Sequence, residues 1–394
     1  MRNNAKYRGT LLQIAALFCS NGFVLGTWGA SVPYLAKHLG LTDPALGGVL
    51  LTFAVAGIAA MFVTPLLNRR FGNHRVAVLS GIGFAGMLPV ALLAPNVVLA
   101  VVAILLFGIF HGAMDVALNA AAIDCEKQLA RLILSRLHGC FSISAAAGGL
   151  FAGWLQNDGH WSHWEWVALA IVPLALLSPG LGQATAKSTS VPEAQPSPSP
   201  QIQPGYRIEA LLPLALIAFF CLIGEGAMTD WLTKLMSELG VVPFWAAVVF
   251  SSFNCGMAVG RFSGDGIKRL LDDRPLVVGG CLLGAIGLAT SVGFASATIA
   301  IPGMFVAGLG LANIVPVVFR KSSQTGSDAS SALAFVTAFG YAGFLIGPPL
   351  IGFIAGQLTL GRAILVVVFG LLLAAALGCW IFKPSVISPQ TPKS

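Results

Sequence analysis

His111, Asp115 and Asn119 stand at successive i, i+4 positions inside an otherwise apolar stretch. Residues four apart lie on one face of a helix, so the three side chains form a polar stripe. A carboxyl or imidazole group can carry a proton, and an amide can hydrogen-bond a polar solute. An ionisable group at the centre of a bilayer costs at least about 2.5–3.5 kcal/mol, so it normally faces a wet cavity or a partner.

Isolated polar residues of the same kind recur in other apolar stretches. Glu225 and Asp230 are five apart in one stretch, and Arg261 lies in the next. Burial disfavours the charged form of a carboxylate, so Asp115 or Glu225 could load and release a proton. Further candidates for lining a substrate cavity are Asn21, Trp28, His111, Asn119, His138, Asp230, Trp231, Asn254, Asn313 and Tyr341.

The charged candidates also have structural interpretations. Asp115 could join two helices by pairing with His138 or Arg136. Glu225 could form a static ion pair with Arg261. Arg261 would then neutralise that carboxylate or gate the passage, or it would contact an anionic substrate instead.

The remaining candidates are equally open to a structural role. His111 alone would be an ordinary core histidine, and Asp230 could be either a cavity-rim residue or a solvated one. Trp28 and Trp231 could stack on a ring-shaped solute, anchor an interface or simply pack the core. Gly347 and Pro348 mark a break at which a helix could hinge.

The composition places these residues in a membrane protein. Of the 394 residues, 56% are hydrophobic and 9% are charged, against about 25% charged in a soluble domain. Apolar runs long enough to cross a hydrocarbon core recur throughout. The sequence predicts twelve spanning helices, at 10–37, 44–68, 74–94, 96–125, 133–157, 161–182, 209–238, 244–269, 275–296, 298–321, 328–357 and 361–382.

The distribution of positive charge predicts the orientation. All but four of the 22 lysines and arginines fall in segments that share one side if both termini are cytoplasmic. The four exceptions are Lys37, Lys234, Arg261 and Arg362. This bias predicts a multi-pass inner-membrane protein with both termini inside, and it accounts for the net charge of +7 without nucleic acid. We expect the first helix to be an uncleaved span rather than a signal peptide.

The low-complexity segment divides the chain into two halves. It is rich in Pro, Ser and Gln, a composition that cannot bury a core. We therefore predict a six-helix bundle at 1–182, a cytoplasmic linker at 183–208 and a second six-helix bundle at 209–394. Trp28 and Trp231 match at an offset of 203 residues, as do Gly57 and Gly260, which indicates a weak parallel duplication.

Four motifs make the chain similar to the major facilitator superfamily, in particular to a bacterial inner-membrane branch that includes MosC-like permeases. They are HGCFSISAAAGG (138–149), GEGAMTDWL (224–232), GMAVGRFSG (256–264) and GYAGFLIGPPLIG (340–352). The resemblance implies two bundles around a central cavity lined by helices 1, 4, 7 and 10, with alternating access. The loop motif of this superfamily is degraded, because Arg69 occupies its usual Asp position.

These observations predict a secondary transporter for a small polar solute, either sugar- or polyol-like or a cationic metabolite, coupled to protons. The alternatives are a proton-antiport efflux pump for amphipathic compounds and a membrane sensor that does not transport. The sequence contains no P-loop, GxSxG motif or metal-spaced His/Cys cluster, so we expect no enzyme activity, cofactor or metal. We expect a monomer whose partners are the lipid bilayer, the substrate and a proton.

Overall fold

The protein is built from α-helices. A computed structural model describes residues 2–129, 131–157, 171–177, 208–294, 296–325 and 329–382, and no strand occurs in these ranges. The first half contains α1 (Arg2–His38), α2 (Asp43–Phe71), α3 (Asn73–Leu92), α4 (Val97–Leu129), α5 (Leu134–Asn157) and a helical segment, α6, at 171–177. The second half contains α7 (Ile208–Asp230), α8 (Leu232–Glu238), α9 (Pro243–Leu270), α10 (Asp273–Gly293), α11 (Ala297–Leu311), α12 (Ile314–Ser323), α13 (Ala329–Gln357) and α14 (Leu360–Ile381).

Ten of the helical segments within the described residues are long and apolar enough to cross a membrane. They agree with ten of the twelve predicted spans. The predicted span 133–157 is helical as α5, but it contains many glycines and polar residues and is not among the ten. The predicted span 161–182 is described only at 171–177, and the predicted linker lies outside the described residues except for Ile208. The predicted all-α, multi-pass fold is confirmed.

The helices pair in the same order in both halves of the chain. In the first half, α1 packs on α5, and α4 packs on both α2 and α3. In the second half, α7 packs on α13, and α11 packs on both α9 and α10. The halves meet where α5 packs on α9 and where α2 packs on α13. The domain limits at 182 and 208 stay predictions, because they fall among residues that are not described or at their edge.

Two helices predicted as continuous are broken in the structure. The predicted helix 209–238 becomes α7 and α8, which meet at Trp231. The predicted helix 298–321 becomes α11 and α12, which are separated by a turn at Ala312 and Asn313. Pro316 explains the second break, because proline has no N–H for the carbonyl four residues earlier and its ring clashes with that carbonyl.

The turns after α1 and α8 have the same geometry. Gly40 and Gly240 adopt φ values of 63° and 79°, which favour glycine over residues with a β-carbon. The following residues, Leu41 and Val241, donate backbone hydrogen bonds to carbonyls five positions earlier. Both helices therefore end in the same left-handed cap, at the same end of the molecule.

The α13 helix continues through the predicted hinge. Gly347 and Pro348 lie inside the single helix Ala329–Gln357. There α13 approaches α2 closely, because a β-carbon added at Gly47 would lie 2.9 Å from the Pro348 carbonyl oxygen. A small residue at Gly47 thus permits this contact between the halves.

Candidate functional site

A cavity of about 630 Å³ lies between the two halves. Its walls come from α1, α2, α4 and α5 on one side and from α7, α9, α12, α13 and the end of α11 with the turn after it on the other. At one end the cavity reaches Lys268, close to the basic end of the molecule, where Arg69, Arg70, Lys127, Arg136 and Arg269 also lie. The predicted site residues on its lining are His111, Asp115, His138, Glu225, Asp230, Asn254, Arg261, Asn313 and Tyr341.

Arg261 joins the two halves at the centre of the cavity. Its Nη2 atom donates to Glu225 Oε1 at 3.0 Å, which forms an ion pair between α9 and α7. Its Nη1 atom donates to Ser142 Oγ at 2.7 Å and to the His138 carbonyl at 3.5 Å, both on α5. The Ser135 hydroxyl donates in return to the Arg261 carbonyl at 2.7 Å. One guanidinium group therefore binds a carboxylate in its own half and oxygen atoms in the other.

A second polar chain runs from Asp115 to His138. Asn119 Nδ2 donates to Asp115 Oδ1 at 3.2 Å and to the Asp115 carbonyl at 2.8 Å. Asn119 Oδ1 lies 3.1 Å from His138 Nε2. Asp115 and His138 are thus connected through the amide rather than by a direct pair, and Asn119 stands behind the cavity lining.

His111 occupies an aromatic setting. Its ring centroid lies 5.3 Å from that of Phe53 and 4.9 Å from that of Phe84. Its Nδ1 atom is buried and has no hydrogen-bond partner, although the ring lies on the cavity lining. The hydrogen-bonding capacity of this nitrogen is therefore not met by any residue that the structure describes.

Two amides on the lining are already engaged by the backbone. Asn254 Nδ2 donates to the Phe250 carbonyl at 3.1 Å, and Asn313 Nδ2 donates to the Gly260 carbonyl at 2.8 Å. The Asn313 bond joins the turn after α11 to α9. Each amide retains its oxygen for a solute that donates a hydrogen bond.

Besides Asn119, four predicted polar or aromatic site residues are not brought to the cavity lining. Trp28 and Trp231 are completely buried, and Asn21 is buried with both amide atoms unpartnered. Arg136 is exposed on α5 at the basic end. The tryptophans lie in the packing between helices because their large apolar surface gains more from burial than from exposure.

Ser142, which binds Arg261, and several residues of the cavity lining have no signal in the sequence. Ser142 lies one turn after His138, where a serine among alanines looks like ordinary helix packing. In the sequence, Phe53 and Phe250 look like ordinary core residues, and Lys268 looks like one of the positive charges that set the orientation. Their place on the lining depends on which helices pack together, and local spacing carries no information about that pairing.

The end of the molecule opposite the basic end is closed by polar bonds between the halves. Thr233 Oγ1 donates to the Gly29 carbonyl at 2.6 Å, and Lys234 Nζ lies 2.9 Å from Asp43 Oδ1. Lys234 also pairs with Glu238 on its own helix. Burial alone would lower the pKa of Lys234, but the hydrogen bonds and charges of Glu238 and Asp43 outweigh it and raise that pKa. The Lys234 ammonium group therefore stays charged at neutral pH. Its ion pairs with Asp43 and Glu238 are called the Lys234 latch below.

Lys234→Gln is expected to loosen this closed end. A partly buried ion pair of this kind contributes about 1 kcal/mol, so its loss shifts the ratio of closed to open molecules about fivefold. Distances between spin labels at Leu41 and Leu358, measured by double electron–electron resonance, should show a longer component. Lys37→Gln, which changes an exposed lysine at the same end, should leave the distribution as in the wild type. Unchanged distances in Lys234→Gln would show that the latch does not control closure.

These features define a multi-pass helical membrane protein with a charged, aromatic-lined cavity between two similar halves. Residues 14–325 match the model of the Major Facilitator Superfamily, and the chain belongs to that superfamily. It is 31% identical over 360 residues to an uncharacterized MFS-type transporter of Yersinia pestis, covering 90% of this chain and 91% of that one. It is 30% identical over 371 residues to the membrane protein MosC of Rhizobium meliloti, covering 93% of this chain and 89% of that one.

The fold is also shared with a solved transporter. The nucleoside transporter NupG superimposes with a TM-score of 0.73 at 12% identity, covering 95% of this chain and 100% of that one. Identity at this level shows a common fold alone. The predicted resemblance to the MosC-like branch is confirmed by the MosC relative itself.

Proposed function

We propose that this protein is a secondary active transporter that moves a small polar organic solute across the bacterial inner membrane by alternating access. The observation that carries the proposal is the cavity between the halves, which is lined by ionisable side chains from helices of spanning length. The Lys234 latch joins the halves at the end opposite the basic end. If the basic end is cytoplasmic, as the positive charges favour, this is an inward-facing arrangement with both termini inside. A monomer contains the complete cavity.

We place proton carriage on Glu225 or Asp115. Protonation of Glu225 would remove its charge and release Arg261 from the ion pair. Arg261 also binds Ser142 and the His138 carbonyl across the interface, so its release would change the contact between the halves. Tyr341 on α13 lies within electrostatic range of both Glu225 and Asp115, and His138 on α5 lies within range of Arg261.

Asp115 offers a second site for the proton. No Lys or Arg side chain lies within ion-pair distance of it in the described part of the chain. Its nearest polar partner is the neutral Asn119 amide. A carboxylate in such a setting is stabilised by protonation when the cavity closes and loses its water.

At least one of the variants Glu225→Gln and Asp115→Asn is expected to reduce solute-coupled proton movement to background. Each change keeps the size of the side chain but prevents it from giving up a proton. Proteoliposomes containing a pH-sensitive dye, challenged with a panel of sugars, polyols and amines, would report the coupling. Glu209→Gln and Asp273→Asn, matched changes outside the cavity, should retain it. Full coupling in both cavity variants would refute proton carriage at these residues.

The aromatic lining favours a second candidate function, efflux of amphipathic compounds by proton antiport. The apolar wall contains seven phenylalanines: Phe18, Phe53, Phe141, Phe250, Phe253, Phe319 and Phe344. Such a wall binds flat, apolar ring systems better than it binds a bare polyol. Expression in a pump-deficient bacterium would then raise resistance to such compounds, and Glu225→Gln would abolish the gain. An importer would leave resistance unchanged.

A further inference from the structure

We propose that the transported solute is an organic cation, a protonated amine, and that Asp230 is its counter-ion at the closed end of the cavity. This inference rests on the proposed transport function and specifies its substrate class. It is carried by three observations: the charges left over in the cavity, a buried donor beside Asp230, and the aromatic rings at the same depth.

The charges on the cavity lining do not balance at the closed end. Arg261 is engaged by Glu225, which leaves that pair neutral as a unit. Lys268 is two helical turns farther along α9, at the mouth near the basic end. Asp115 and Asp230 remain, and neither has an ion-pair partner among the residues that the structure describes. Both of these carboxylates on the lining therefore lack a cation, and Asp230 is the one that lies beside the Trp28 indole.

The indole side chain of Trp28 lies beside Asp230 and carries no charge. The indole side chain is completely buried, and its Nε1 atom has no partner in hydrogen-bond geometry. It nevertheless lies close enough to the Asp230 carboxylate to interact with it. An indole N–H beside a carboxylate does not cancel its charge, because it is a donor that carries no net charge. Any negative charge on Asp230 is therefore left for a ligand to balance.

Aromatic rings lie at the same depth as Asp230. A β-carbon added at Gly29, next to Trp28, would lie 2.9 Å from the Phe250 ring and 2.6 Å from the carbonyl of Thr229, the neighbour of Asp230. Phe250 and Phe53 both line the cavity. A cation over an aromatic face gains about 0.5–1 kcal/mol at an exposed site and about 2 kcal/mol or more when desolvated. A carboxylate with flanking rings is the combination that binds ammonium groups.

A neutral or anionic solute fits this end of the cavity less well. An anion would meet the Asp230 carboxylate and be repelled by it. A neutral polyol would displace water from Asp230 and leave its charge uncompensated, which costs several kcal/mol in a closed cavity. A cation supplies the missing charge and removes that cost when the cavity closes.

The test uses the purified full-length protein and two pairs of probes that differ only in charge. Benzylamine is compared with benzyl alcohol, and glucosamine with glucose, at a pH where the amines are protonated. Titration calorimetry should show at least one amine binding about tenfold or more tighter than its neutral partner. Asp230→Asn should erase the difference, Asp230→Glu should keep it, and Asp273→Asn, at an exposed ion pair, should leave it unchanged.

Several outcomes would overturn the inference. These are equal affinity within both pairs, no binding by any of the four probes, or an unchanged preference for the amine in Asp230→Asn. Flux in proteoliposomes separates this failure from a failure of the proposed function. Uptake of a neutral probe without its amine would sink the amine proposal and leave transport standing. Charge-dependent binding through Asp230 without any flux would support the counter-ion and argue against transport.

Discussion

Replacing Arg261 with glutamine is expected to abolish transport and to lower the free energy of unfolding by roughly 2 kcal/mol. The change leaves the Glu225 carboxylate without its cation and removes the bonds to Ser142 and the His138 carbonyl. Breaking a fully buried ion pair costs about 3–5 kcal/mol. The expected cost is smaller here because both side chains face the cavity and retain part of their solvation. Thermal melting of the purified protein and proton-coupled flux would measure the two effects.

The double variant Glu225→Gln/Arg261→Gln tests whether the lost stability comes from the unpaired Glu225 charge or from the changed side-chain shape. It removes both charges together, so it should recover most of the lost stability without recovering transport. Arg320→Gln is the matched control, because it breaks an exposed pair with Asp273 at the basic end and should change the melting temperature little. A single variant that melts like the wild type, or a double variant no better than the single one, would show that the Glu225–Arg261 pair is not coupled as described.

Gly112→Ala is expected to lower the yield of folded protein and to reduce its stability by more than about 3 kcal/mol. A β-carbon at this position of α4 would overlap the carbonyl oxygen of Gly57 on α2. The obstacle is backbone, so no rotamer change can relieve it, and the cost should exceed the usual range for overpacking. Parting α2 from α4 would also displace Phe53 and Asp115 on the cavity wall.

The control for this prediction is a second glycine-to-alanine change that should not lower the stability. Gly48→Ala lies on α2, and a β-carbon there would meet nothing within 4 Å. Alanine is favoured over glycine in a helix by about 1 kcal/mol, so this variant should be neutral or slightly stabilising. Size-exclusion profiles and melting curves of both proteins would settle the matter. Equal behaviour of the two variants would mean that the close approach of α2 and α4 is not required.

The sequence by itself determined the class of fold and the location of its helices. Apolar runs of spanning length and the scarcity of charge allow few other structures, since every backbone polar group must be satisfied inside the bilayer. Because the spans are almost entirely apolar, isolated polar residues stand out in the sequence. Asp115, Glu225 and Arg261 were found from the sequence because a charge among hydrocarbon side chains needs a local explanation.

Only the tertiary structure decided what those residues meet. It joined Arg261 to Ser142, a residue with no distinguishing signal, and turned Asn119 away from the cavity to bridge Asp115 and His138. It also buried Trp28, which the sequence had suggested for the cavity. Hydropathy and helical spacing are local and are imposed by the bilayer. Contacts between residues more than a hundred positions apart depend on side-chain shape at the helix crossings, so they emerge only when the whole chain is packed.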